Sequence, residues 1–352
     1  MEGLFNKDFF SNNVPSWTES LEMGLLASFL RNSLADSFDF TDVRIEHSEA
    51  FGINSSNFRV GLSGQEVLLK RWSIKSDQIS VQKIVERMEF ISNAGLPVPK
   101  PLKFKNGSYI VVWDGYLWSY FPFINGDYYS GSLVELTNAA IATGQLTDML
   151  SSLPFQIYPE HGPQHLTDTD NLLIKRMNTE RGSWCRIFGE DNACFLEEKW
   201  DELVSDWNRL RSIRLSTGVA APVHFDLHPH NLIVDNSKVV GILDFESCKA
   251  MPIGYALAFS ALKQCRQAIV YSGGSEPPEL IGRNYVKILS DVIKEVEPCI
   301  PYFSDLALAE VFRRLCVIFK LNLEENNNMW NAVLPIQLNH VSESKMLFKL
   351  LS

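Results

Sequence analysis

The chain has 352 residues, 45% hydrophobic and 21% charged, so it can bury a sizeable core and is not a disordered tract. Its 32 basic and 42 acidic residues leave a net charge of -10 and a pI near 5.3, which disfavours nucleic acid or an anionic membrane as a partner. Six cysteines without a C-x-x-C pair suggest neither structural zinc nor a redox dithiol, and they read as buried small hydrophobes. No long apolar run or secretion signal is evident, so a cytoplasmic protein is expected.

The stretch WTESLEMGLLASFLRNSL, residues 17–34, returns Leu21, Leu25 and Phe29 at four-residue spacing and predicts a helix. VRIEHSEAF (43–51) predicts a strand, and FRVGL and EVLLKRW predict two more on either side of Ser63-Gly64. Asp77 and Gly95 bracket a helix with the stripe Ile79, Ile84, Met88 and Ile91. GSYIVVWDGYLWSYFPFIN then predicts a hairpin turning at Asp114-Gly115. From Leu133 onward helical spacing dominates, in LVELTNAAIATGQLTDML, EEKWDELVSDWNRLRSI, IGYALAFSALKQCRQAIVY, ELIGRNYVKILSDVIKEV and DLALAEVFRRLCVIFKLNL. Residues 151–171 read as a loop. The fold class expected is α+β and bilobal, with an antiparallel sheet lobe over residues 1–120, a helical lobe over 121–352, and a ligand crevice between them.

The densest chemistry lies in HFDLHPHNLIVDNSKVVGILDFESC, from His224 to Cys248. LIVD and VVGILDF predict a hairpin turning at Asn236-Ser237, so that Asp226 ahead of it and Asp244 at its end face one opening. The spacing H-x-D-x-x-x-x-N followed by D-F suits phosphoryl transfer. One carboxylate, Asp226, orients the attacking hydroxyl, while the amide oxygen of Asn231 and the carboxylate of Asp244 hold magnesium against phosphates. A zinc site built from His224, His228 and His230 competes with this reading, and the intervening Pro229 speaks against it.

HFDLHPHN and ILDFE resemble the aminoglycoside phosphotransferase and choline kinase superfamily of small-molecule kinases, which shares the protein kinase fold. The resemblance implies a bilobal kinase-like fold, ATP and Mg2+ as cofactors, and a small-molecule hydroxyl substrate such as a sugar, amino sugar or amino alcohol. It makes Asp226 the catalytic base, His224 a neutral residue that fixes the loop, and Asn231 and Asp244 the metal ligands. Lys70 would pair with phosphate, with Arg71 on the opposite face of the strand as competitor. Its carboxylate partner would be Glu86 by position, Glu89 lying one turn away on the same face. Ser55, Ser56 and Asn57 would belong to the turn over the phosphates. Backbone groups near Ser119, Tyr120 and Phe121 in the lobe connector would meet adenine.

Glu246 would approach the metal directly or through water. His161, His165, Asp168, Asp170, Trp184 and Arg186 either border an acceptor pocket or are plain surface, and Arg313 and Arg314 on a late helix are further acceptor candidates for which snorkelling at the surface is the simpler role. Phe225 replaces a glycine common in the family, and Ala256 replaces the aspartate expected to brace the catalytic loop. That second departure keeps open a nucleotide-binding pseudoenzyme, and a protein kinase is a lesser alternative.

Overall fold

The computed structural model describes residues 23–34, 43–47, 55–62, 64–153 and 167–351. The start of the predicted N-terminal helix, the turn residues 52–54, and His161 and His165 lie outside the described residues.

Helix α1 (Met23–Ser33) is followed by β1 (Val43–His47), β2 (Ser55–Leu62), β3 (Gln65–Trp72), α2 (Gln78–Asn93), β4 (Val111–Trp113) and β5 (Tyr116–Pro122). The strands form one antiparallel sheet in the order β1-β2-β3-β5-β4. Alternation along the strands divides it into two faces. Phe58, Val60, Val67, Leu69 and Tyr120 pack with Leu26, Phe29 and Leu30 of α1 and with Leu34 just beyond it. Of the predicted stripe, Phe29 is buried, whereas Leu25 is exposed and Leu26 and Leu30 take the inward positions. Trp72 joins Val81 and Val85 of α2 on the other side. Asp77 caps α2 by accepting from the Ser80 N–H at 2.9 Å, as its position predicts, whereas Ile79 is exposed. Asp114 and Gly115 both adopt positive φ, 49° and 74°, as a tight hairpin turn requires.

The second region contains β6 (Asp127–Tyr128), α3 (Leu133–Ser151), α4 (Asp168–Thr179), α5 (Trp184–Phe188), α6 (Glu190–Ser212), β7 (Ala220–His224), β8 (Leu232–Asp235), β9 (Lys238–Ile242), β10 (Cys248–Pro252), α7 (Ile253–Tyr271), α8 (Pro278–Val292), α9 (Phe303–Glu324) and α10 (Leu334–Leu347). β7 pairs with β10, and β6 lies against the β8–β9 hairpin. Helix α7 is buried along nearly its whole length at the centre of the larger core. The architecture is α+β and bilobal, with the sheet-then-helix arrangement of a protein-kinase-like fold.

Three helices were not predicted, the short α5 among them. α4 begins inside the expected loop, where Thr167 and Asp170 form a reciprocal capping box. α10 lacks an apolar stripe because its buried positions include Gln337, His340, Glu343 and Ser344 beside Leu338 and Leu347. Cys248, Cys265, Cys299 and Cys316 are buried as expected, but Cys185 and Cys194 are exposed. Among the described residues no helix is long and apolar enough to cross a membrane.

Candidate active site

The catalytic segment is anchored at both ends by strands. His224 closes β7 opposite Cys248 of β10, and Phe225 N–H donates to the Ser247 carbonyl at 3.1 Å. The chain then turns through Asp226–Asn231 and enters β8. The Leu243 N–H donates to the Asn231 carbonyl at 2.9 Å, extending the β8–β9 ladder by one step and placing Asp244 immediately beyond it. Asn231 and Asp244 thus stand side by side at the open end of one hairpin. At the other end the predicted turn is formed by Asn236 and Ser237, with φ of 48° and 62°.

Asp244 has φ 62° and ψ 52°, a left-handed conformation that a β-carbon makes unfavourable. Such strain collects where neighbouring structure over-determines a functional side chain. Here the Ser247 hydroxyl donates to Asp244 Oδ2 at 2.7 Å, and the Ser247 N–H donates to the Asp244 carbonyl at 3.0 Å. Asn231 Nδ2 donates to the Asp226 carbonyl at 2.7 Å, which leaves Oδ1 as the end that can ligate a cation.

His224 spans the two halves of the site. Its Nε2 lies 2.8 Å from the Leu243 carbonyl, and its Nδ1 accepts from the Asp226 N–H at 3.3 Å. Nε2 therefore carries the proton. Burial lowers its pKa from the ordinary value against the opposing pull of Asp244 and Asp226, so the ring is neutral. With both nitrogens engaged, His224 has no lone pair for zinc. Nδ1 of His228 is likewise occupied by the His230 N–H, at 3.2 Å. Among the described residues no cluster of three or more His, Cys, Asp or Glu is placed to hold a metal.

Asp226 is the carboxylate expected to act as base. Arg314 Nη2 donates to Oδ1 at 2.9 Å, and His228 Nε2 lies 3.8 Å from Oδ2. Burial alone raises a carboxyl pKa, yet Arg314, then His228, His224 and Lys263, outweigh it and hold Asp226 well below the usual carboxylate range. His228 is itself pushed down to about 4, by burial first and against the attraction of Asp226. Arg314 is not a snorkelling surface residue. It reaches inward from α9, held by the fully buried Glu310 at 2.8 Å and lying 4.0 Å from the Phe259 ring.

The brace missing at Ala256 is provided two turns later on α7. Gln264 Nε2 donates to the Leu227 carbonyl in the catalytic loop at 3.1 Å and to Thr143 Oγ1 at 3.2 Å, while Tyr285 donates to Gln264 Oε1 at 2.8 Å. Neither Gln264 nor the inward role of Arg314 was predicted. The signal for Gln264 was a polar residue inside an otherwise apolar helix.

On the sheet, Lys70 is flanked in register by Asn57 on β2 and Ser119 on β5, so the three share one face. Lys70 forms an ion pair with Glu246, two residues beyond Asp244, and lies 4.5 Å from the Trp72 ring. The expected pair with Glu86 is not formed: Glu86 is exposed and accepts from Gln82 at 2.8 Å, while Glu89 accepts from the Tyr109 hydroxyl. The phase of α2 explains this, because its inward residues are Val81, Val85, Arg87, Met88 and Ile91. Arg71 points to the opposite face, donating to Ser56 Oγ at 3.1 Å and lying 4.6 Å from the Tyr116 ring.

The remaining nucleotide candidates occupy strands where turns or connectors were expected. Ser55, Ser56 and Asn57 open β2 and pair with Trp72, Arg71 and Lys70. Ser119, Tyr120 and Phe121 lie within β5. Ser119 Oγ accepts from Trp72 Nε1 at 2.8 Å, and the Tyr120 carbonyl accepts from the Leu102 N–H at 3.0 Å, so that carbonyl is not open to adenine. The connector falls just after, where Gly126 (φ 147°) crosses β8 so closely that a β-carbon would stand 2.7 Å from the Val234 carbonyl. Of the acceptor candidates, Asp170 serves the α4 cap, Asp168 pairs with Arg211 at 3.1 Å, Trp184 is buried with its indole donating to the Met177 carbonyl, and Arg186 is exposed.

The donor set fits magnesium: a carboxylate and a carboxamide oxygen side by side, each with its other atom tied back, suit a hard cation that takes its remaining ligands from phosphate and water. The buried Asn57 Oδ1 has no hydrogen-bond partner and lies in register with Lys70.

The profile of the phosphotransferase enzyme family matches residues 49–278, and the chain belongs to that family. Its fold is similar to that of a spectinomycin phosphotransferase bound to ADP and spectinomycin, at 12% identity and TM-score 0.63, covering 91% of this chain and 93% of that one. It is also similar to an amicoumacin kinase bound to AMP-PNP and calcium, at 11% identity and TM-score 0.59, covering 93% and 95%. A choline kinase from Cryptosporidium parvum gives 11% identity and TM-score 0.56 over 92% and 95%. No curated protein matches by sequence.

Proposed function

We propose that this protein is an ATP- and Mg2+-dependent phosphotransferase acting on a hydroxyl of a small molecule. The observation carrying the proposal is the convergence of Asp226, Asn231 and Asp244 at one hairpin end, with Lys70 of the sheet ion-paired to Glu246 beside them. Asn231 and Asp244 would hold magnesium, which would supply positive charge to neutralise the phosphates.

The side chains of the chain supply position and charge. Asp226, held ionised by Arg314, orients the acceptor hydroxyl and accepts its proton through the oxygen not taken by the guanidinium. Asn231 and Asp244 hold the cation. Lys70 exchanges its carboxylate partner for phosphate as nucleotide enters. His224 keeps Asp226 and the Leu243–Asp244 segment at a fixed separation and takes no proton. Direct in-line transfer requires no covalent enzyme intermediate, so positioning and electrostatics supply the rate. The pseudoenzyme reading rested on the absent brace at Ala256, and Gln264 removes that reason.

The test is Mg2+-dependent phosphate transfer from ATP over a broad panel of sugars, amino sugars, amino alcohols and hydroxy acids. Asp226→Ala and Asp244→Ala are each expected to reduce turnover at least 100-fold, on the order of the contribution of a general base or a metal ligand. Equal turnover by wild type and both variants would refute the proposal.

A further inference from the structure

We infer that the acceptor carries an oxyanion group, a carboxylate or a phosphate ester, close to its reacting hydroxyl, and that Lys249 and Arg313 bind it. The inference rests on the kinase reading and narrows its substrate class.

Three cations crowd one aromatic ring beside the catalytic carboxylate. Arg313, Lys249 and Arg314 lie 4.8, 5.4 and 5.5 Å from the centre of Phe225, the residue immediately before Asp226. Among the described residues two carboxylates answer them. Glu310 is buried and takes Arg313 at 2.8 and 2.9 Å together with Arg314 at 2.8 Å. Asp226 takes the other end of Arg314 at 2.9 Å. Lys249 forms no ion pair or hydrogen bond with a described side chain, and its contact is the ring face of Phe225. Burial lowers its pKa, and Arg313 and Arg314 add to the effect against Glu310 and Asp226. A lysine kept in such company without a counter-charge is stabilised by an incoming anion.

The same geometry disfavours a cationic acceptor. An ammonium ligand is bound by carboxylates or by open aromatic faces. Here Phe225 and Phe259 are already faced by the guanidinium and ammonium groups of the protein, and Glu310 is fully engaged. Arg313 and Arg314 share one Glu310 oxygen, so the oxyanion lies one guanidinium away from the group that receives the hydroxyl proton. The acceptor is therefore a compact hydroxy acid or hydroxy phosphate.

Matched acceptors with one carbon skeleton separate the cases: glycerate, its amide, and 3-amino-1,2-propanediol, with glycerol 3-phosphate to distinguish phosphate from carboxylate. Binding of AMP-PNP with Mg2+ is measured first, without acceptor, and its absence would defeat the kinase reading itself. With nucleotide binding established, kcat/KM is expected to favour an anionic compound over the amide and the amine by roughly 10- to 100-fold, the yield of one or two charge-assisted bonds. Lys249→Gln should raise KM for the anion by a similar factor and so lower the anion-to-amide ratio of kcat/KM. Lys249→Glu should move the anion and the amine in opposite directions, which a folding defect does not do. Preference for the amine, no transfer to any of the four, or an anion KM indifferent to Lys249 would overturn the inference while leaving the nucleotide result standing.

Discussion

Replacing Arg314 with Gln tests how the catalytic carboxylate is kept charged. The side chain donates to Asp226 at 2.9 Å and to Glu310 at 2.8 Å, and it lies against the Phe259 ring. Glu310 retains Arg313 after the change, so the uncompensated loss is at Asp226. Asp226 is 24% exposed, and water recovers part of that loss. The net destabilisation expected is about 3 kcal/mol, the low end for breaking a buried charge pair. The pH profile is more specific. In the wild type Asp226 stays ionised throughout the working range, so its stabilising effect is complete above the ordinary carboxylate pKa of about 3.9 and is lost only as pH falls below it. Without Arg314 the burial contribution is less opposed, the pKa rises, and the acid limb of kcat/KM moves upward. Thermal denaturation gives the stability, rate against pH gives the limb, and a double-mutant cycle with Asp226→Asn isolates the pair, with a coupling expected near 2 kcal/mol. Coupling below about 0.5 kcal/mol together with an unmoved acid limb would refute the reasoning.

Lys70→Ala is expected to weaken nucleotide binding roughly 10- to 100-fold by titration, whereas Glu86→Gln, on the exposed face of α2, should leave it within about twofold. His228 has its pKa lowered to about 4 in the folded protein, so the unfolded chain binds the extra proton. The resulting stability is complete above about pH 6.5 and falls by at most ~3 kcal/mol as pH drops toward 4; denaturant titrations of His228→Gln should show a shallower acid loss over that window. Gln264→Leu strands the Leu227 carbonyl and the Tyr285 hydroxyl, costing about 1–3 kcal/mol at each, and is expected to lower kcat more than it alters the KM for ATP. Phe225→Gly restores the residue common in the family yet removes the ring on which Lys249, Arg313 and Arg314 rest, so turnover should fall at least 10-fold in steady-state assays.

What could be read beforehand was local. Turn chemistry located the hairpins at Asp114-Gly115 and Asn236-Ser237, and the motif spacing located Asp226, Asn231 and Asp244, because a hairpin brings together residues close in sequence. Helical phase was less secure: Phe29, Met88 and Ile91 of the predicted stripes are buried, but Leu25 and Ile79 are exposed, because spacings of four and five residues drift around a 3.6-residue turn. The partners of the central residues were hidden by distance. Glu246 is 176 residues from Lys70, and Arg314 is 88 from Asp226, so no periodicity links them. α10 was invisible for a different reason, since its buried side holds His340 and Glu343, joined to each other at 2.5 Å, and Glu343 accepts from Arg266 at 3.1 Å. Polar residues that satisfy one another in a core carry no hydrophobic signature.

The two departures from the family pattern have related explanations. Glycine before the catalytic aspartate leaves room over the loop, whereas Phe225 fills it with a ring that Arg313, Arg314 and Lys249 surround. An aspartate at position 256 would brace the loop with a second negative charge near Asp226. With Ala256, neutral Gln264 holds the Leu227 carbonyl, and the charge facing Asp226 comes from α9 through Arg314. With Ala256 no carboxylate stands at that position of α7, and Arg314 donates to Asp226; both hold Asp226 in its ionised form. On the proposed reading the same cations set the field that an acceptor meets on approaching Asp226, one attractive to an anion. Support of the catalytic loop and selection of the acceptor are thus functions of the same few side chains, and exchanging Phe225 or Ala256 for the family residue perturbs both together.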